Sequence, residues 1–415
     1  MKESDFVRRI CFAGGRIAIV GGWVRDSLRG VEPKDKDYVI SGVSEDKFLS
    51  LFPNAQKVGR SFPVFLLRVD GRPSEIAFAR TEQKNGKGYL GFCVQSNPGI
   101  SLEDDLSRRD TTINAMALEL FADGTSPRRI DLFGGKEDIE RGVIRAVSSC
   151  FTEDPVRALR AARQAATFGY KIEPCTIKYM QSCGEELTGE PKERIFAELS
   201  RALAALRPSV FFRSLLSANL LEPLFPEIFA LIGKTQPKEF HPEGDAFEHT
   251  MATVDEVSLR TADLVVRFAA LVHDIGKGVT PGEMLPHHYG HEVKGLEVLA
   301  QWDERMGFPK LWRRVADFVI AEHMRAPRLK KSAKIADFLV RLSRLPVPVH
   351  DVLQIFLVDH GELPPYLEHY EKLIGKLLSI NGNDAPKNLH GEAIGAWIRA
   401  QRTQYIRGIR KNWKD

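Results

Sequence analysis

Gly21-Gly22-Trp23-Val24-Arg25-Asp26, followed by Asp35-Lys36-Asp37-Tyr38-Val39-Ile40, is the stretch on which the reading of this chain turns. Ahead of it, Arg16-Ile17-Ala18-Ile19-Val20 reads as a buried strand. The glycine pair reads as a turn, and Val24 to Arg29 as a short helix stopped by Gly30. The segment 35–40 reads as a second strand. Strand side chains alternate between faces, so Asp35 and Asp37 point the same way and can share a divalent cation, while the glycines let backbone N–H groups approach a phosphate. This is a layout for phosphoryl transfer. Taken alone, the pair reads equally well as two solvated charges at a strand end, because D-x-D and Gly-Gly are both common.

The order strand, Gly-Gly, helix with arginine, D-x-D resembles the head of the nucleotidyltransferase superfamily that includes polymerase beta. More narrowly, Gly-Gly-x-Val-Arg-Asp together with Arg108-Arg109-Asp110-Thr111-Thr112-Ile113-Asn114-Ala115 resembles the bacterial class II tRNA nucleotidyltransferases. These are the CCA-adding enzymes, and the resemblance is to the multifunctional type with an HD domain, over most of the chain. It implies an α+β fold: a polymerase-beta-like mixed α/β nucleotidyltransferase head, an all-α neck and body, and an all-α HD domain. It also implies that Gly22, Arg25 and Arg109 hold the nucleotide triphosphate and that Asp35 and Asp37 bind Mg2+. Glu75, in the strand-like Glu75-Ile76-Ala77-Phe78-Ala79, is the candidate third catalytic carboxylate, since metal-assisted transfer to a 3′-hydroxyl usually draws on three. The plainer reading of Arg109 is a structural ion pair with a neighbour such as Asp105.

Further along, Glu153-Asp154-Pro155-Val156-Arg157-Ala158-Leu159-Arg160-Ala161-Ala162-Arg163 marks a helix start. Asp154 stands at an N-cap, Pro155 at the first helical position, and Gly169 closes the helix. Helical geometry puts Arg157, Arg160 and Arg163 on one broad face near the positive N-terminus. Read alone, this is ordinary capping with solvated arginines. In the resembled family an E-D-x-x-R motif reads the base, and it matches here at Glu153, Asp154 and Arg157. The chemistry suits that part. Cytosine and adenine share an adjacent amino donor and ring-nitrogen acceptor on their Watson–Crick edges, and uracil and guanine present the reverse. A carboxylate accepting from the amino group and a guanidinium donating to the ring nitrogen therefore take C and A and refuse U and G. Arg160 and Arg163 would then hold triphosphate oxygens.

A spaced His/Asp series follows: His249, then His273-Asp274-Ile275-Gly276-Lys277-Gly278, then His287-His288-Tyr289-Gly290-His291, then His323 and Asp359. It resembles the HD superfamily of metal-dependent phosphohydrolases, in which an adjacent His-Asp pair holds a metal with a distant His and Asp. The resemblance implies His249, His273, Asp274 and Asp359 as ligands, with His291 and His323 as second-metal or phosphate contacts. It also implies 2′,3′-cyclic phosphodiesterase or phosphatase activity. A lone histidine on an apolar helix is usually a satisfied core residue; a His-Asp pair with partners at both ends is a different pattern. Imidazole and carboxylate ligands suit several divalent ions, Ni2+ among them, so the identity of that metal stays open.

Composition agrees with this reading without deciding it. The chain of 415 residues is long enough for several domains, and its net charge of +4 leans only weakly toward a polyanionic partner. Cations gather in the tail: Arg399, Arg402, Arg407, Arg410, Lys411 and Lys414, with Tyr405 and Trp413 among them. That composition suits phosphates and exposed bases, or a solvated helix end. Cys11, Cys93, Cys150, Cys175 and Cys183 are odd in number and show no C-x-x-C spacing, which predicts reduced thiols in a cytoplasmic protein. No secretory h-region opens the chain and no apolar run approaches the span of a bilayer, so no membrane partner is expected. Strand-like runs give way to helical periodicity near Val147, and Pro- and charge-rich breaks set the remaining boundaries. The reading is a nucleotidyltransferase head over 1–146, a helical neck and body over 147–236, an HD domain over 237–365, and a basic tail contacting tRNA over 366–415.

Together these features predict template-independent addition of CCA to the tRNA 3′ end from CTP and ATP, with release of pyrophosphate, by a monomer or homodimer that binds the acceptor end. A bacterial poly(A) polymerase shares the same head and stays open as an alternative, as does a CC-only or A-only enzyme. Gly59-Arg60-Ser61-Phe62 departs from the Gly-[Arg/Lys]-Arg-Phe of poly(A) polymerases, which argues against the former. An RNA-binding scaffold with a dead site is disfavoured because both carboxylates and both arginine motifs are present.

The stretch Arg80 to Phe92 carries three glycines, alternating charges and no periodicity, so it reads as a mobile element beside the strand with Glu75. One pocket that takes C twice and then A has to be reshaped, and such an element is placed to do it. Replacing Asn85 to Gly88 by a rigid short turn is expected to spare CC addition and severely reduce A addition to tRNA ending in CC. Assaying the two steps separately on preformed substrates checks this; equal losses would remove the loop from the switch.

Overall fold

The computed structural model describes residues 1–33, 35–58, 64–84, 86, 92–95, 97–237, 239, 242–410 and 413. They form two compact units, Met1–Glu198 with Val210–Leu224, and Leu199–Ser209 with Phe225–Asp415. The chain thus passes between units three times within 147–236, the segment that reads as one helical body.

The first unit is built on a seven-stranded mixed sheet. Its strands are β1 (Arg16–Val20), β2 (Asp37–Ser41), β3 (Gln56–Val58), β4 (Val64–Val69), β5 (Arg72–Phe78), and, after a separate two-stranded ribbon of β6 (Thr81–Lys84) and β7 (Phe92–Gln95), β8 (Met116–Leu120) and β9 (Arg128–Asp131). The spatial order is β3-β4-β5-β2-β1-β8-β9, with β2 parallel to β5 and the other pairs antiparallel. β1 is an interior strand beside the central β2, and Ile17 to Val20 are all buried because both faces of the sheet are covered. On one face Phe6, Tyr38, Phe48, Phe52, Phe65 and Phe78 interlock edge to face or tilted, with centroids 5.0–5.7 Å apart. On the other, Ala18, Val20, Val39, Ala79 and Ala117 pack against Leu102 and Leu106 of the helix Leu102–Ser107.

Two sequence expectations shift here. β2 begins at Asp37, so Asp35 lies just ahead of the strand rather than in it. The ends of the stretch 80–92 are ordered as the ribbon of β6 and β7, while Asn85 and 87–91 lie outside the described residues, as do 59–62 with their Gly-Arg-Ser-Phe.

The helix Val156–Phe168 ends at Gly169, whose φ of +69° is the left-handed stop the sequence signals. At its other end Pro155 is the cap residue, one position earlier in the helix than expected, and Asp154 Oδ1 accepts from Val156 N at 3.2 Å. This helix is bound to the rest of the unit through Asp110, which is 6 % exposed. Asp110 accepts from Arg160 Nε at 2.8 Å, Gln164 Nε2 at 3.1 Å, Asn114 Nδ2 at 3.2 Å and the Thr111 amide at 2.8 Å.

The second unit is helical. Asp245 and Asp263 cap the helices Ala246–Arg260 and Leu264–Val272 by accepting from backbone N–H groups of their first turns. The buried Arg267 is satisfied by four carbonyls, those of Leu203, Ala205, Ser258 and Thr261. In the C-terminal helix Glu392–Arg410, Arg402 and Arg410 bind backbone carbonyls of Leu377, Ile380 and Lys330, and Trp413 lies 6.3 Å from Tyr366. Those three residues of the basic tail serve packing, whereas Arg399 and Arg407 are exposed. Lys411 and Lys414 lie outside the described residues. No helix among the described residues is long and apolar enough to cross a membrane.

Burial works against the charge of Asp110, but Arg160 and the donors around it outweigh that and hold the carboxyl well below the usual carboxylate range. Its contribution to stability is therefore present above the unfolded carboxyl value near 4 and fades as pH falls below it. Arg160 keeps 38 % of its side chain in water, so the loss on Asp110→Asn is set at about 1–3 kcal/mol at pH 7. Urea unfolding of parent and variant is expected to show that gap at pH 7 and a smaller one at pH 3.

Candidate active sites

The first candidate site lies at one end of the sheet, where β1 runs into the glycine turn. Gly21 has φ of +66° and ψ of −125°, a backbone that requires glycine, and a Cβ on it would lie 3.3 Å from Arg109 Nη1. A Cβ on Gly22 would sit 3.5 Å from Arg25 Nη2. The two glycines thus lie against two guanidiniums, tightly at Gly21 and at ordinary contact distance at Gly22. Arg25 is held by both oxygens of Asp26 at 2.9 and 2.8 Å, by Asn114 Oδ1 at 2.6 Å and by the Phe168 ring 4.5 Å away. Arg109 makes the ion pair with Asp105 that the plainer reading expected, at 3.0 Å, and also reaches the Asn114 carbonyl at 3.3 Å.

Asp37 and Glu75 face each other across this end. The register sets Tyr38 beside Ile76 in parallel strands, so Asp37 and Glu75 are neighbours on the face that also carries Val39, Ala77 and Ala79. Lys36 points the other way, to Glu3 at 2.6 Å. Burial first, then the Glu75 and Asp35 carboxylates, push Asp37 up to about 6 against the pull of Arg109. A carboxyl pushed up by two neighbouring carboxylates belongs to a donor set for a hard divalent cation, which would relieve the repulsion.

Of the expected base-reading and phosphate-holding residues, Asp154, Arg157, Arg160 and Arg163 are engaged within the unit. Asp154 takes both Arg194 Nη2 contacts at 2.9 and 3.0 Å, Arg157 donates to the Cys150 carbonyl at 2.8 Å, and Arg163 pairs with Glu198 at 2.5 Å. Arg160 is on Asp110, and Glu153 closes the short turn Ser149–Glu153 that precedes the helix. Arg194, forty positions from Asp154, carries no signal in the sequence that would have singled it out.

The second candidate site is in the helical unit, and it gathers all six expected residues. His249, His273, His291 and His323 come from four helices or their ends, and all are at most 6 % exposed. Asp274 is shared: it lies 3.3 Å from His273 Nε2, 3.7 Å from His249, 3.2 Å from His291 and 3.3 Å from His323. Asp359 is 3.2 Å from His249 Nε2 and 3.8 Å from His273 Nε2. Nδ1 of His273, His291 and His323 points at the carbonyls of Ala270, His288 and Ile320 at 2.8, 2.8 and 3.0 Å. A carbonyl only accepts, so each Nδ1 carries a proton and each ring turns its Nε2 inward. Two such nitrogens, on His291 and His323, face each other at 3.2 Å. Among the described residues His273 Nε2 and Asp359 Oδ2 are buried without a hydrogen-bond partner. Lone pairs and carboxylates packed this way need a positive centre among them, and two ligand groups fit one: His249, His273, Asp274 and Asp274, His291, His323. Lys277 Nζ, 2.5 Å from Asp274 Oδ2, supplies part of that charge. It holds Asp274 well below the ordinary carboxylate range despite burial.

Comparisons with known proteins match family models to the regions that carry the two sites. A Poly A polymerase head domain model matches residues 17–145, a model for the "Probable RNA and SrmB- binding site of polymerase A" matches 169–232, and an HD domain model matches 246–363. The multifunctional CCA protein of Acinetobacter baumannii is 38 % identical over 407 residues, 94 % of this chain and 97 % of its own. That of Methylococcus capsulatus is 42 % identical over 412 residues, 94 % of each chain. Among solved structures, the Bacillus stearothermophilus CCA-adding enzyme in complex with CTP superposes with a TM-score of 0.67 at 22 % identity, covering 98 % of this chain and 91 % of that one. The Thermotoga maritima CCA-adding enzyme complexed with tRNA gives 0.62 at 20 % identity, covering 98 % and 90 %; at these identities the likeness is one of fold.

Gly276 is what lets His291 reach Asp274. A Cβ there would lie 2.0 Å from the His291 carbonyl and 2.4 Å from Gly295 N, so the turn Ile275–Val279 and the helix His291–Met306 touch backbone to backbone. Gly276→Ala is expected to push His291 away and weaken Mn2+ binding by about 10- to 100-fold in calorimetric titration. Gly282→Ala, with no heavy atom near the added Cβ, is expected to bind as the parent does.

Proposed function

This chain belongs to the multifunctional CCA protein family, and we propose that its two sites divide the work of finishing tRNA 3′ ends. The head adds C, C and A to the acceptor end from CTP and ATP and releases pyrophosphate. The His/Asp site hydrolyses phosphate esters, 2′,3′-cyclic phosphates among them. Asp35 and Asp37 would hold Mg2+, which would supply charge neutralisation at the transferred phosphoryl group, and the His/Asp cluster would hold a divalent ion, which would supply an acidified water in the other site.

Around those ions the chain's own residues orient the reactants. Arg25 and Arg109, fixed beneath the glycine turn, bind triphosphate oxygens, and their existing clamps on Asp26, Asp105 and Asn114 pre-set their direction. Glu75, beside Asp37, completes the carboxylate set. Asp154 and Arg157 read the Watson–Crick edge with Glu153 beside them, and Arg160 and Arg163 extend toward the phosphates. For the base to be read, the Arg194 and Cys150 contacts have to be exchanged for contacts with the nucleotide. The domain assignment that goes with this is head 1–146, base-reading body 147–236, HD domain 237–365 and a tail 366–415 that touches tRNA. A cytoplasmic location follows from the substrates.

The single observation that carries the reading is the joint presence, in one chain, of the Asp37–Glu75 neighbours under a guanidinium-lined glycine turn and the buried six-residue His/Asp cluster. Full-length relatives of this kind at 38–42 % identity favour it over a poly(A) polymerase or a scaffold.

The test is a two-by-two experiment on tRNA lacking its CCA end. Asp37→Asn is expected to reduce C and A addition at least 10²-fold at saturating Mg2+ with metal-dependent phosphatase activity retained. His273→Ala is expected to do the reverse. Loss of both activities in either folded variant, or robust addition by Asp37→Asn, would refute the division.

A further inference from the structure

We infer that Gln236 is a substrate-contacting residue of the His/Asp site, donating its side-chain amide to a phosphoryl oxygen of the molecule hydrolysed there; this rests on the phosphohydrolase reading of that site. In the sequence Gln236 is an unremarked polar residue in the Pro- and charge-rich stretch 233–244. In the structure it is 4 % exposed. Its backbone is fixed from two directions. Its amide donates to the Gly244 carbonyl at 3.1 Å, and the adjoining Thr235 bridges to Asp245, the cap of the helix that carries His249. The Thr235 carbonyl also accepts from His288 Nε2 at 3.0 Å, and His288 Nδ1 meets Thr280 Oγ1 at 2.8 Å.

The side chain is oriented as firmly as the backbone. Gln236 Oε1 accepts from Lys277 Nζ at 2.5 Å, and the same ammonium lies 2.5 Å from Asp274 Oδ2. An ammonium has only donors, so the oxygen of the amide must be the atom facing it, and the nitrogen is thereby assigned to the other side. That nitrogen is buried and has no acceptor among the described residues. Buried amide donors without an acceptor are rare in folded proteins, and one standing two hydrogen bonds from a shared metal-ligand carboxylate points to an acceptor that arrives with the substrate. Phosphoryl oxygens are acceptors only, carry negative charge, and would be drawn to the same spot by the Lys277 ammonium and by the bound metal. A rigid amide donor beside that ammonium is thus a ready-made second contact for the phosphoryl group.

Gln236→Glu separates this role from a structural one. It keeps an oxygen for Lys277 and replaces the donor by a second oxygen that repels phosphate. The full chain, loaded with Mn2+, would be titrated with inorganic phosphate by calorimetry and assayed on p-nitrophenyl phosphate. The expected result is Mn2+ affinity and melting temperature close to the parent, phosphate affinity lowered at least 30-fold, and KM raised at least 10-fold with a smaller change in kcat. CCA addition should be unchanged. If the new carboxylate disturbs the metal, the neutral Gln236→Leu is read in the same assays. Phosphate affinity and KM within threefold of the parent in a metal-loaded variant would overturn the inference while leaving the phosphohydrolase reading intact. A parent protein that binds no phosphate would overturn it too. A parent that binds phosphate in a Gln236-dependent way yet hydrolyses no ester would leave Gln236 a phosphate-binding residue, and would sink the phosphohydrolase reading and with it the substrate-contacting role.

Discussion

The head depends on one buried carboxylate. Asp110 joins the Arg108–Asn114 segment to the helix Val156–Phe168, and through Asn114 the link extends to Arg25, whose Nη1 donates to Asn114 Oδ1. A continuous run of charge-assisted hydrogen bonds therefore connects a guanidinium at the glycine turn with one on the helix Val156–Phe168. Arginine side chains left free lose considerable rotamer entropy when they bind a ligand; here that cost has already been met in folding. Thr111 Oγ1 donating to Gln164 Oε1 at 2.7 Å doubles the joint, so the helix and the sheet end move as one body.

The helical unit solves the opposite problem. Instead of matching each charge with a partner, it brings four imidazoles and two carboxylates together in a dry interior, with one lysine to offset them. Such a cluster is poor as a fold stabiliser and good as a ligand cage, because the second nitrogen of three of the rings is already tied to a carbonyl and cannot turn away.

How much of this could be read from the sequence differs between the two units for physical reasons. The His/Asp cluster was legible because ligand chemistry is confined to few residue types, and all six residues expected from the resemblance to HD phosphohydrolases meet in space. The fold of the head was legible from a strand, a glycine turn and a second strand, since these follow from local backbone and burial rules. Asp35 falling outside β2 is a matter of one or two residues at an element end, where hydrogen bonding rather than pattern decides. What the sequence hid were pairings between distant residues: Arg194 on Asp154, Arg160 on Asp110, and Arg402 on the carbonyls of Leu377 and Ile380. An arginine that caps a carbonyl and one that stands exposed have the same letter and similar neighbours, so the sequence does not separate Arg402 from Arg399 and Arg407. Gln236 was hidden for another reason, since Pro and charge mark a loop without telling whether the loop folds back over a site.

The Asp154–Arg194 pair has a consequence for how selective such a pocket can be. A recognition group that stands free gains from almost any partner with the right polarity, and so tends to be permissive. One already satisfied within the protein binds by exchange: on the proposed reading each incoming base would be weighed against Arg194, and only a base that returns as much as it displaces would shift the balance. Internal occupancy then works as a threshold, lowering affinity for every nucleotide by a common amount and leaving the near-matches below the line. On the proposed reading, modest nucleotide affinity would be the counterpart of fidelity in a site that has no nucleic-acid template to copy.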